Sequence, residues 1–183
     1  GAAVKIDAAV AVTGNGDSYT VGATTGVTKA DLATAVANAY AGGATKITLD
    51  KASAQALQGT DVTIPAGSTM VVADSTGSVS ATAKNAATIK VDGLSVAGAN
   101  DARFTDVTVD AGSSQTASSL TGVTADTVTI KSGTVKAGNV TATNLNLNGG
   151  TVNIDGAMNA ATVIVDGGTV TAAAAGTTAT ITA

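Results

Sequence analysis

The sequence predicts an all-β chain: a single-stranded parallel β-helix, or β-solenoid, of short coils with an N-terminal capping helix. Three observations predict it. The first is a recurring phrase, two apolar residues flanking a variable one, then a turn with Gly in a set place. It reads Val62-Thr63-Ile64-Pro65-Ala66-Gly67, Val107-Thr108-Val109-Asp110-Ala111-Gly112 and Val128-Thr129-Ile130-Lys131-Ser132-Gly133. It returns as Leu145-Asn146-Leu147-Asn148-Gly149-Gly150 and Val163-Ile164-Val165-Asp166-Gly167-Gly168, with a shorter copy at Ile89-Lys90-Val91-Asp92-Gly93. The second is spacing: the steps from Val107 to Val128, Leu145, Val163 and Ile181 are 21, 17, 18 and 18 residues, one coil each. The third is composition, because the 183 residues include only two Tyr, one Phe and no Trp. A thick core needs large side chains, whereas a narrow solenoid fills with Val, Ile, Leu and Ala. Disorder is excluded by a 44% apolar content arranged with regular period.

Each phrase makes a half-buried strand, since apolar and variable residues alternate. The inward pairs Val107 and Val109, Val128 and Ile130, Leu145 and Leu147, and Val163 and Val165 are expected to stack in columns at about 4.8 Å per strand. Val135, Val152 and Val170 predict a second column, and Val140 with Met158 a third. Three short strands and three tight turns then give a triangular coil. The Gly after each first strand suits a positive φ.

Three regions follow in order. Residues 1–27 read as an N-terminal extended strand and linker, residues 28–43 as the capping helix and residues 44–183 as the solenoid. Val4, Ile6, Ala8, Val10 and Val12 alternate with period two. This strand either packs on its own solenoid or is donated to a neighbouring subunit by β-strand addition. Asn15-Gly16-Asp17 marks a turn, and Tyr19 to Val27 reads as a polar, Gly-bearing connection. Thr28 is a natural N-cap, with Asp31 three residues on in the manner of a capping box. Leu32, Val36, Ala39 and Tyr40 share one helical face, and Gly42-Gly43 ends the helix. Ile47 and Leu49 face inward on the strand after it.

The run Ala30-Asp31-Leu32-Ala33-Thr34-Ala35-Val36-Ala37-Asn38-Ala39-Tyr40-Ala41-Gly42-Gly43-Ala44-Thr45-Lys46-Ile47-Thr48-Leu49 resembles the capping helix and first strand of the pectate-lyase-like right-handed parallel β-helix superfamily. The coils that follow are similar in style to that superfamily and to bacterial adhesin passengers. The resemblance covers most of residues 28–183 and implies fold rather than function. Coils of 17 or 18 residues are shorter than those usual in the enzymes and leave little room for substrate loops.

Residues 66–123 are less regular. An ordinary looped-out coil is expected there, with Ser113 to Ser119 as the longest polar loop and Arg103-Phe104 as a candidate contact patch. At the other end, Thr180-Ile181-Thr182 begins another coil with no helix after it. A capped start and an uncapped finish leave a sticky apolar edge: either the chain continues, or another molecule supplies the lid by head-to-tail contact, which builds open filaments. The candidate joint is therefore Val4, Ile6, Ala8, Val10 and Val12 against Ile181 and the last coil.

The chemistry is mostly exclusions. With no His and no Cys, the usual catalytic triads and zinc sites cannot be built. Asp92, Asp110, Asp155 and Asp166 sit at turns, where turn structure or weak Ca²⁺ binding accounts for them. Lys90, Lys131 and Lys136 read as solvated face, and no phosphate loop is present. A net charge of −4 argues against nucleic acid or anionic membrane. No apolar run is long enough to span a bilayer. Gly1, and a composition rich in Thr, Ala and Gly, read as a mature protein outside the cell. Asn139-Val140-Thr141 matches a glycosylation acceptor. The expectation is a non-enzymatic extracellular structural protein with no cofactor, whose partner is a second copy of itself, pilus-like at the cell surface. An adhesin or passenger segment is the alternative. So is ice or surface binding by the outward rows Thr127, Thr129, Asn144, Asn146, Thr162, Ile164, Thr180 and Thr182, and Thr134, Thr151, Thr169 and Thr171.

Overall fold

A computed structural model describes residues 8–114 and 116–172. The chain opens with three strands, β1 (Ala8–Asn15), β2 (Ser18–Val21) and β3 (Thr24–Val27). A 3-10 turn (Lys29–Asp31) then leads into α1 (Leu32–Ala41), followed by β4 (Ala44–Leu49) and a second short helix, α2 (Lys51–Ala56). The central strands are β5 (Val62–Ile64), β6 (Thr69–Ala73), β7 (Ser78–Ala83), β8 (Ala87–Asp92), β9 (Ser95–Ala99) and β10 (Arg103–Asp110). The regular coils are β11 (Ser118–Thr121), β12 (Thr124–Ser132), β13 (Thr134–Gly138), β14 (Val140–Leu147), β15 (Thr151–Ile154), β16 (Met158–Val165) and β17 (Thr169–Ala172).

Hydrogen bonding gathers these strands into a ten-stranded sheet, β16-β14-β12-β10-β7-β6-β4-β1-β2-β3, and a seven-stranded sheet, β17-β15-β13-β11-β9-β8-β5. From β9 and β10 onward every new strand pairs in parallel with the one a coil earlier. Val107 lies over Val128, Leu145 and Val163, while Val109 lies over Ile130, Leu147 and Val165. The second column is Ser118, Val135, Val152 and Val170, and Val140 pairs with Met158. The fold is a β-solenoid, as its spacing predicts.

The third leg of each coil is not a separate strand. In β14, Ala142 and Leu145 are both buried with two residues between them, which a straight strand with period two forbids. Thr105, Asp126, Thr143 and Ala161 sit at the equivalent place and have no register partner. The chain therefore turns a corner there inside one long strand, and the coil presents two sheets. Phe104, fully buried, fills a column whose other members are Ala83, Ala125, Ala142 and Ala160. One large ring thus packs where its neighbours are small, so Phe104 is core and not part of a contact patch.

The middle departs from expectation more deeply. It is no looped-out coil but two hairpins, β6–β7 and β8–β9, both antiparallel. β7 also pairs antiparallel with β10, and β8 with β5. The chain reverses after β6, winds one coil backwards through β7 and β8, then reverses again into β9. Alternation survives the reversal: Val79, Ala81, Ala83, Ala87, Ile89 and Val91 are all buried.

The N-terminal end is closed by α1, which lies against β4 and β5. Thr28 caps its 3-10 entry, accepting from the Asp31 amide at 3.3 Å and donating to Asp31 Oδ2 at 3.1 Å. Leu32, Val36 and Tyr40 are buried, and Gly43 takes φ +111° just past the helix. Tyr40 donates its hydroxyl to the Thr69 carbonyl at 2.9 Å, and burial pushes its phenol far above the usual range. Where a connection was expected, Tyr19 to Val27 forms most of β2 and all of β3, an edge strand of the larger sheet, with Tyr19 buried.

Candidate functional site

Three places on the molecule bear on function: the two ends of the solenoid, and a cleft on its side.

At the N-terminal end, β1 is already a member of its own sheet. Ala8, Ala9, Val10, Ala11 and Val12 pair in parallel with β4, and Val12 to Asn15 pair with β2. Val12 is fully buried, whereas Ala8 and Val10 are half-buried. Asp50 locks this arrangement. Its carboxylate accepts from the Gly14 amide at 3.3 Å and from the Ser53 amide at 2.8 Å, capping α2. Ser53, fully buried, donates its hydroxyl to the Val12 carbonyl at 3.3 Å. Residues 8–15 thus pack on their own solenoid. Val4, Ile6 and Ile181 of the candidate joint lie outside the described residues, as do Thr180 and Thr182 of the outward rows.

At the other end, Val107, Val109, Val128, Ile130, Leu145, Leu147 and Val163 are buried, but Val165 is 41% exposed. Beside it Ile164, on the outer row, is 49% exposed. Among the described residues these are the exposed large apolar side chains. The outward rows occupy the expected register: Thr127, Asn144 and Thr162; Thr129, Asn146 and Ile164; Thr134, Thr151 and Thr169; and Thr171 beside Asn153. The Asn residues and Ile164 interrupt any single-chemistry ladder.

The cleft has a volume of about 320 Å³ and lies where both hairpin turns meet α2 and the loop before β11. Lys51, Gln55, Asp74, Asp92, Ser95, Ser114 and Thr116 line it. Its polar groups hold the loops in shape. Asp74 Oδ1 accepts from the Thr76 amide at 2.7 Å, the Thr76 hydroxyl at 2.6 Å and the Gly77 amide at 3.1 Å. Partial burial raises the Asp74 carboxyl, but these bonds and the Lys51 charge outweigh it and leave it below the usual range. Asp92 accepts from Gln58 Nε2 at 3.1 Å, Ser95 Oγ from the Ser119 amide at 2.8 Å, and Ser114 donates to the Thr116 carbonyl at 3.0 Å.

Sequence reasoning did not find this cleft, although Asp74-Ser75-Thr76-Gly77 carries an Asx-turn signature and Asp92-Gly93 a hairpin one. The other Asp turns are also committed locally: Ser132 Oγ donates to Asp110 at 2.6 Å and accepts from the Gly112 amide at 2.8 Å. Lys136 pairs with Asp155 at 3.0 Å, Lys84 with Asp126 at 2.9 Å, and Lys90 with Asp61. Among the described residues no group of three carboxylates, His or Cys could hold a metal ion. No helix among them is long and apolar enough to cross a membrane. Searches against family models, curated proteins and solved structures find no match.

Proposed function

We propose that this chain is a non-catalytic extracellular scaffold that joins end to end with copies of itself, a structural relative of the pectate-lyase-like β-helices. The observation that carries the reading is the difference between the two ends. One end of the apolar column is covered by α1, while towards the other, among the described residues, Val165 is 41% and Ile164 49% exposed. Exposed apolar side chains near one end of a solenoid favour association, and joining unlike ends gives a heterologous contact that propagates. Residues 8–15 pair within their own sheet, so the proposed joint does not rely on donating them. The proposed receiving surface is the one that carries Ile164 and Val165.

The test is electron microscopy with sedimentation on three proteins: the intact chain, one lacking residues 1–7, and Val165→Lys with Ile164→Lys. Filaments from the first two and monomers from the third support the proposal. Filaments that persist in the charged variant, or monomers throughout, sink it. A second reading, a segment that displays a surface, is favoured by the cleft beside α2, since that irregular patch interrupts otherwise uniform coils. It predicts a monomer whose cleft variants lose a binding partner.

A further inference from the structure

We infer that Asp74–Leu94 is an inserted surface cassette: a reversed coil that builds the side cleft and that the solenoid does not need in order to close. β6 is antiparallel to β7, and β7 to β10, so β6 and β10 run the same way. By the same reasoning β5 and β9 run the same way across β8. Every other neighbouring pair along the coils is parallel, so the reversed coil sits between two elements that already share the polarity of the solenoid.

Register agrees on the larger sheet. Met70 pairs with Ala81, which pairs with Val107; Val72 pairs with Val79, which pairs with Val109. With the reversed coil gone, Met70 and Val72 lie directly under Val107 and Val109, continuing both apolar columns. The ends of the segment meet at one corner. Asp74, at the first turn, and Gly93 and Leu94, at the second, line the same cleft. Gly93, with φ +55°, is the first central residue of a two-residue turn between Asp92 and Ser95. Ala73 and Ser95 therefore flank a shared corner, the place where a regular coil passes from the larger sheet to the smaller. In a solenoid each coil contacts only its neighbours, so a coil can be lost without disturbing distant ones. Besides one more apolar layer from Val79 to Val91, the cassette adds the cleft surface: Asp74 and Asp92 both come from it.

The experiment removes residues 74–94 and joins Ala73 to Ser95, directly in one variant and through Gly-Asn-Gly in a second. The expected result is a soluble protein with strand circular dichroism and one cooperative melt. Its long dimension should shorten by one strand spacing, about 4.8 Å. A second measurement starts from folded full-length protein carrying protease sites after Ser75 and after Gly93. Cutting both and releasing the fragment in mild denaturant should leave a remainder that keeps its cooperative melt. If neither deletion folds and the cut protein loses its melt on release, the reversed coil is integral to the core and the inference is overturned.

Discussion

Ser118 occupies a place in the second column where the next three coils carry Val135, Val152 and Val170. It is 1% exposed and its hydroxyl has no hydrogen-bond partner. An unsatisfied buried hydroxyl costs roughly 1–3 kcal/mol, so Ser118→Ala is expected to stabilise the protein by about 1 kcal/mol in urea titration. No change or a loss would show that the hydroxyl is hydrated in solution. Two glycines separate backbone strain from crowding. Gly67 and Gly150 have φ +79° and +78°, yet a Cβ at Gly67 meets nothing within 4 Å and one at Gly150 lies 2.4 Å from the Gly133 carbonyl oxygen. Gly67→Ala should cost about 1 kcal/mol, and Gly150→Ala roughly 3 kcal/mol. Equal costs would mean that the coils can move apart at this corner to make room for a Cβ. In the core, Leu147→Ala is expected to cost about 2–5 kcal/mol, and Val165→Ala far less because it is already half in water.

The elements that were legible in the sequence are those repeated with a constant step. Val128, Leu145 and Val163 announce their own register because parallel coils put like residues above like. The hairpins were not legible, because Val79, Ala81 and Ala83 alternate as any half-buried strand does, and alternation carries no direction. α2 was hidden by its six residues, too few for a helical period, although Asp50 followed by Ser53 was a capping signal. β2 and β3 were hidden behind Gly22 and Gly26, which read as a loop. The side cleft went unseen for the same reason as the hairpins that form it. Two elements make testable joints. Asp50→Ala removes the α2 cap and the tie to Gly14, and should cost about 1–2 kcal/mol, with Asp50→Asn recovering most of it. The Asp74 turn should weaken in acid. Its folded carboxyl lies below the unfolded value of about 3.9, so its contribution is full above that pH and fades as pH falls through the folded value. Asp74→Asn should flatten this part of an acid titration; an unchanged profile would place the acid sensitivity elsewhere.

At the scale of the whole molecule, stability is expected to be a sum over neighbouring coils. Inserting a second copy of residues 134–150 after Gly150 adds one coil in register, since β13 and β14 sit one step from β15 and β16. The melting midpoint should rise and the particle lengthen by about 4.8 Å; a lower midpoint would show that the coils are not interchangeable. The placement of the two tyrosines has a spectroscopic consequence. Tyr19 and Tyr40 are the protein's only tyrosines, there is no tryptophan, and both are buried at the capped end. Ultraviolet emission from this protein is therefore a local reporter of one tip, while circular dichroism averages over every strand. Followed together on heating, the two signals form a built-in ruler for where unfolding begins: emission moving first means the cap peels away, and dichroism moving first means the coils unwind from the far end towards it.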